Sequence, residues 1–167
     1  MKGYDVRTVA NVVLRRARDQ GKNVTNLHLN KSLFFMHVDC LRDYGQPLVS
    51  AKIEAWEYGP VFREVYNQFK KYRAEPIMDY AKRVNYRTGE LEDACDELPQ
   101  GMLEYIQALA DFYLSVPARV LVDVSHAKGG AWDMVWSNSG DFNAGMEITE
   151  SLIRDFEVPH GRRIKLQ

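Results

Sequence analysis

Apolar residues return every third or fourth position along most of this chain, the spacing of helices that bury one face. Val6, Val9, Val13 and Ala17 set a first helix, with Asp5 placed to cap it and Gly21 to end it. Leu29, Leu33, Met36, His37, Cys40, Leu41 and Tyr44 set a second, capped by Thr25 or Asn26 and stopped at Gly45. Phe62, Val65, Tyr66 and Phe69 mark a third. Pro99 opens a fourth over Met102, Ile106, Leu109, Ala110 and Tyr113, and Ser115 with Pro117 opens a short fifth over Val120, Leu121 and Val124. After a break at 126–132, residues 132–136 make one more turn, and Thr149 caps a last helix over Leu152, Ile153 and Phe156. Loose alternation is confined to 77–92, where Thr88-Gly89 suggests a small β-hairpin. The pattern predicts a mainly α, compact single domain of about six helices with a small hairpin over 1–158, then a polar, fraying tail over 159–167.

One stretch fits neither period. IEAWEYGPV (53–61) sets two aromatics and two carboxylates beside a Gly-Pro break. It reads as a connection in which Gly59 permits an unusual backbone angle and Pro60 enters the first turn of the third helix. Trp56 is expected to fill the core and Tyr58 to brace the turn. The competing expectation makes the block the rim of a partner groove, with Glu57 and Tyr58 exposed, because Trp and Tyr are enriched at binding hot spots.

Composition narrows the function. The 167 residues are 46% hydrophobic and 27% charged, which suits one globular domain. Two cysteines without a paired spacing suggest a reduced, cytoplasmic setting. Charges interrupt every apolar run near the N-terminus, which reads as neither a signal peptide nor a membrane span. The net charge of −1 hides an asymmetry: residues 1–87 carry 16 Lys+Arg against 9 Asp+Glu, and residues 88–167 carry 6 against 14. The acidic run at 90–97 is either a solvated segment or a docking surface for a basic partner. The basic first half allows an alternative reading as a DNA-binding regulator of helix-turn-helix type. The pI of about 6.4 and the spread of cations over several faces argue against nucleic acid.

Catalytic and metal chemistry find little footing. His37 and Cys40 lie three apart, but zinc needs three or four ligands and no third is near in sequence. Cys40 falls on an apolar stripe and Cys95 among acids, both unfavourable for a nucleophilic thiolate. Glu54 and Glu57 make a weak carboxylate pair. Gly129-Gly130 lacks the strand and third glycine of a phosphate loop. The expectation is a non-enzymatic protein without cofactor or metal.

Five ordered blocks carry a resemblance. They are Asp5-Val6 with Ala10 and Asn11, TNLHLNKSLFFMH (25–37), GQPL (45–48), IEAWEYGPV (53–61) with Tyr66, and Ser125-His126 leading to Trp132. Together they resemble the Panacea domain, the SocA-like antitoxin family, which includes phage-associated proteins of the GepA type. The resemblance covers residues 5–157. It implies a bacterial or phage-encoded helical protein that neutralises a cognate protein toxin by direct binding, somewhat as a chaperone does. In SocA-type members it also implies delivery of the toxin to a bacterial AAA+ protease. The candidate partner-binding residues are Trp56, Glu57, Tyr58, Gly59, Pro60, His126 and Trp132. Ser32 stands where the family usually has leucine, and Ala131 precedes Trp132 where proline is usual.

Overall fold

The second apolar run becomes the helix around which the others are arranged. In a computed structural model, which describes residues 2–138, 146–162 and 164, α2 spans Asn26–Tyr44. Thr25 caps it by accepting the His28 N–H at 3.2 Å, and Gly45, with φ 66°, ends it in the left-handed conformation. Every residue at 29–41 is buried. Five helices pack on α2: α1 (Val6–Asp19), α3 (Arg63–Phe69), α4 (Gln100–Ser115), α5 (Ala118–Ser125) and α7 (Glu150–Phe156). A helix enclosed in this way has no wet face, so its polar residues need internal partners.

Asp5 and Thr149 cap α1 and α7 as their positions suggested, and α4 and α5 begin directly after Pro99 and Pro117. Among the described residues there are seven α-helices rather than about six. The single turn expected at 132–136 is a two-turn helix, α6 (Ala131–Asn138). Two carboxylates stabilise its start: Glu157 Oε1 accepts from the Ala131 N–H at 2.9 Å, and Asp133 Oδ2 accepts from Gly129 N–H at 2.8 Å. Ala131 therefore supplies a donor that proline would lack. Gly130 leaves that carboxylate its place, because a Cβ there would lie 2.6 Å from Glu157 Oε1 and force it to shift.

The connection expected at 53–61 is a β-hairpin. β1 (Glu54–Trp56) pairs antiparallel with β2 (Gly59–Val61), Trp56 facing Gly59 and Ala55 facing Pro60. Pro60 thus lies in a strand, not in the first turn of α3, which begins three residues later. It is tolerated because β2 is an edge strand, where a missing N–H breaks no sheet bond.

The hairpin expected within 77–92 is present, slightly later in the chain, as β3 (Lys82–Val84) and β4 (Leu91–Asp93). Buried Asn11 of α1 ties its base: its Nδ2 donates to the carbonyls of Ala81 and Ala94, each at 2.9 Å, and its Oδ1 accepts from Ala81 N–H at 2.7 Å. A third strand, β5 (Met146–Glu147), pairs with the other side of β1, giving the order β2-β1-β5.

The two oppositely charged halves meet inside the chain. Arg16 forms a two-pronged pair with Asp111 at 2.6 and 3.0 Å, Lys82 pairs with Asp93, and Arg83 pairs with Glu92 and Asp96. Much of the acidic run at 90–97 is therefore engaged internally. The run from Pro159, expected to fray, sends Arg162 back to Asp39 at 2.8 Å and buries Ile164; Arg163 and residues 165–167 lie outside the described residues.

Ser32 is fully buried on α2, and its hydroxyl has no hydrogen-bond partner among the described residues. Leaving a buried hydroxyl unmet costs about 1–3 kcal/mol. Ser32→Ala should therefore raise stability by about 1 kcal/mol in urea denaturation. A loss of similar size would show that the hydroxyl has a partner after all.

Candidate partner-binding site

The β1–β2 hairpin is short, yet it is held from four directions. Glu54, buried at the start of β1, accepts from the Trp56 indole at 2.9 Å and from Arg63 at 2.8 and 3.0 Å. Burial alone would raise its carboxyl pKa; the Arg63 and Trp56 hydrogen bonds outweigh that and hold it below the usual range. The Trp56 carbonyl accepts from the Trp132 indole at 2.8 Å. The His126 ring lies between the Glu57 carbonyl, 3.0 Å from Nε2, and the Val122 carbonyl, 2.7 Å from Nδ1, and meets Trp132 edge-on with centroids 4.0 Å apart. Finally, Lys31 Nζ donates to the Pro60 carbonyl at 2.8 Å.

These bonds bring all seven sequence-derived candidates into one cluster, but in different roles. Tyr58 is 63% exposed and Glu57 is exposed, both at the turn. Gly59 and Pro60 are buried, and His126 is half-buried. Gly59, at φ 103°, is a position only glycine fits comfortably: a Cβ would lie 2.5 Å from Ser125 Oγ and 2.9 Å from Lys31 Cε. The expected plug of the core is displaced by one tryptophan. Trp132, 7% exposed, packs into the core, whereas Trp56 is half-buried, edge-on to Tyr66 at 4.8 Å and beneath the Arg63 guanidinium at 5.5 Å.

Lys31 was not singled out as a site residue from the sequence. It is 0% exposed, and burial pushes its ammonium down to about 7. The sequence offered no clue to it, since a residue two positions from both Leu29 and Leu33 falls on the helix face opposite the core stripe.

Cys40 is buried; burial first, then Asp43 and Asp39, push its thiol up to about 11. Among the described residues no three of His, Cys, Asp and Glu lie close enough together to hold a metal. No described helix is long and apolar enough to cross a membrane.

The geometry of the hairpin acquires a family context from residues 29–133, which match the family model described as Antitoxin SocA-like, Panacea domain. This chain belongs to that family. It is also similar to Antitoxin SocA of Caulobacter vibrioides (strain NA1000 / CB15N), with 34% identity over 155 residues, covering 92% of this chain and 82% of the relative. No solved structure matches. Membership of the SocA-like family supports an antitoxin role and a non-enzymatic one.

Two predictions follow from the geometry of this SocA-like hairpin. Trp132→Ala should cost about 3–5 kcal/mol, as deletion of a buried aromatic does, and Trp56→Ala clearly less. Equal losses in thermal melting would mean that both indoles are core.

The second concerns Lys31. Its folded-state pKa lies below the unfolded value, so between about pH 7 and 10.5 the unfolded chain binds a proton that the folded chain lacks. Stability contributed by this group therefore rises with pH across that window, by up to about 1.4 kcal/mol per pH unit. Lys31→Met should remove that rise. A difference between wild type and variant that stays constant from pH 7.5 to 9.5 would contradict it.

Proposed function

We propose that this chain neutralises a cognate protein toxin by binding it directly, through the turn between β1 and β2. The observation that carries the reading is the exposed Glu57-Tyr58 tip on a backbone anchored by Trp132, His126 and Lys31. An aromatic presented on a rigid turn loses little conformational freedom on binding, so more of its contact energy appears as affinity. In this reading Trp56, Glu57 and Tyr58 touch the toxin, while Gly59, Pro60, His126 and Trp132 support them. The complex forms in the bacterial cytoplasm, where the chain acts as a chaperone for the toxin or hands it to an AAA+ protease. The alternative of a DNA-binding regulator loses support from the ion pairs, since Arg16, Arg63, Lys71, Lys82 and Arg83 are all engaged within the chain.

The experiment is co-expression with the product of the adjacent reading frame. That product should arrest growth alone and be neutralised by this chain. Tyr58→Ala should keep stability within about 1 kcal/mol, as exposed substitutions do, and lose rescue. No rescue by the wild-type chain, together with salt-sensitive submicromolar binding to duplex DNA, would favour the regulator instead.

A further inference from the structure

Beside the hairpin tip lies an open groove of about 570 Å³, bounded by the first two turns of α2, the β1–β2 turn and the chain that follows α3. Its lining divides into two chemistries. Trp56, Tyr66 and Val61 form an apolar wall, with Leu27 (40% exposed) and Tyr58 beside it. The wall is fixed in place: Trp56 and Tyr66 meet edge-on, and Asn26 Nδ2 donates to the Tyr66 carbonyl at 3.0 Å. Lys70 and Arg73 supply the second chemistry, and both are exposed.

These two cations differ from their neighbours. Arg63 is paired with Glu54, and Lys71 with Asp79 at 2.7 Å. Lys70 and Arg73 have no acidic partner among the described residues. Arg73 also holds a backbone that a non-glycine residue rarely adopts, φ 53° and ψ −117°, at the end of the 3-10 turn Lys70–Tyr72. Strain of that kind costs about 1–3 kcal/mol and concentrates where side chains must be aimed. Here it places an unpaired guanidinium at an aromatic groove.

We propose that this groove receives a segment of the toxin in which a carboxylate adjoins an aromatic or long aliphatic side chain. The apolar side chain lies against Leu27, Trp56 and Tyr66, and the carboxylate meets Arg73 and Lys70. Arginine suits a carboxylate because its planar fork donates two parallel hydrogen bonds. Glu57, in the hairpin wall, disfavours a segment acidic throughout. A single-stranded nucleic acid also takes cations and aromatics, but its repeating phosphates need a basic track. Two free cations, an acid in the wall and a chain of net charge −1 do not provide one. This inference rests on the toxin-binding reading and names the chemistry of the segment that reading requires.

The test pans a random dodecapeptide library displayed on phage against the full chain. Enriched peptides should carry Asp or Glu next to Phe, Trp or Leu. A selected peptide, synthesised with a fluorescent label, should bind the Lys70→Glu/Arg73→Glu chain at least about tenfold more weakly, a change of roughly 1.4 kcal/mol. Arg87→Glu, an exposed cation outside the groove, should bind as wild type. Arg73→Gly guards against misfolding as the explanation: it relieves the left-handed backbone while removing the cation, so it should melt no lower than wild type and still bind more weakly. Enrichment of basic peptides, no enrichment, unchanged binding by the double variant, or tighter binding of an oligothymidylate would overturn the proposal. Rescue separates the two readings. If wild type and the double variant neutralise the toxin equally, the groove is wrong and toxin binding stands. If peptides select the groove while the wild-type chain fails to rescue, the toxin reading falls and the groove's peptide chemistry stands.

Discussion

A helix enclosed by its neighbours has to meet its polar side chains from within the protein, and α2 does so at each of its buried polar residues except Ser32. Asn30 Oδ1 accepts the Phe62 N–H at 2.9 Å, fixing the entry to α3, and Asn26 Nδ2 donates to the Tyr66 carbonyl, one turn further along α3. Lys31 reaches β2 through Pro60, and His37 Nδ1 accepts from the Val49 N–H at 3.4 Å. Asp39 gathers the Tyr113 hydroxyl at 2.7 Å, Arg42 and Arg162, linking α4 and the C-terminal run to the same helix. Hydrophobic contact brings these elements together without fixing their register, because it is non-directional. The polar contacts supply the register. Together they tie α3, β2, the connection at Val49, α4 and the C-terminal run to α2, so displacing any of these elements leaves a buried polar group unmet.

The hairpin depends on this arrangement more than any other element. Two strands of three residues cannot hold themselves together in water. β5 extends the sheet on one side, while Lys31, Ser125 and His126 hold the other, and Trp132 closes the space beneath. The close approach of Lys31 and Ser125 to Gly59 leaves no room for a side chain there. What faces outward is a short, firmly held tip beside a groove whose cations are unspent. For a protein whose proposed work is to bind another protein, that combination keeps the ordering cost of association low.

The helices were legible because periodicity and capping residues agree, as at Asp5, Thr25, Gly45 and Thr149. The hairpin at β1–β2 was not. Its strands are too short to show alternation, and a proline after a glycine reads more naturally as the start of a helix than as an edge strand. The candidate residues were gathered from distant segments by resemblance, and they do lie together; Glu57 and Tyr58 are exposed as the partner-groove reading expected, whereas Trp56, expected to fill the core, is only half-buried. Nothing in IEAWEYGPV or in AWDMVW indicates which tryptophan faces the core. Lys31 and Asp39 were hidden for another reason: a periodic helix is read as having one wet face, and α2 has none. Lys70 and Arg73 are two of the 16 cations in the first half of the sequence, and only the pairing of Arg63 and Lys71 sets them apart.

In the proposed complex a rigid α2 presents a preformed surface at 54–61 and 70–73. Hydrogen–deuterium exchange of the chain, free and bound to the toxin proposed for it, reads this directly. Amides of α2 should exchange slowly in both states, and new protection on binding should fall on the β1–β2 turn and on the 3-10 turn ending at Arg73. New protection confined to 90–97, or an α2 that exchanges rapidly until the toxin binds, would contradict it.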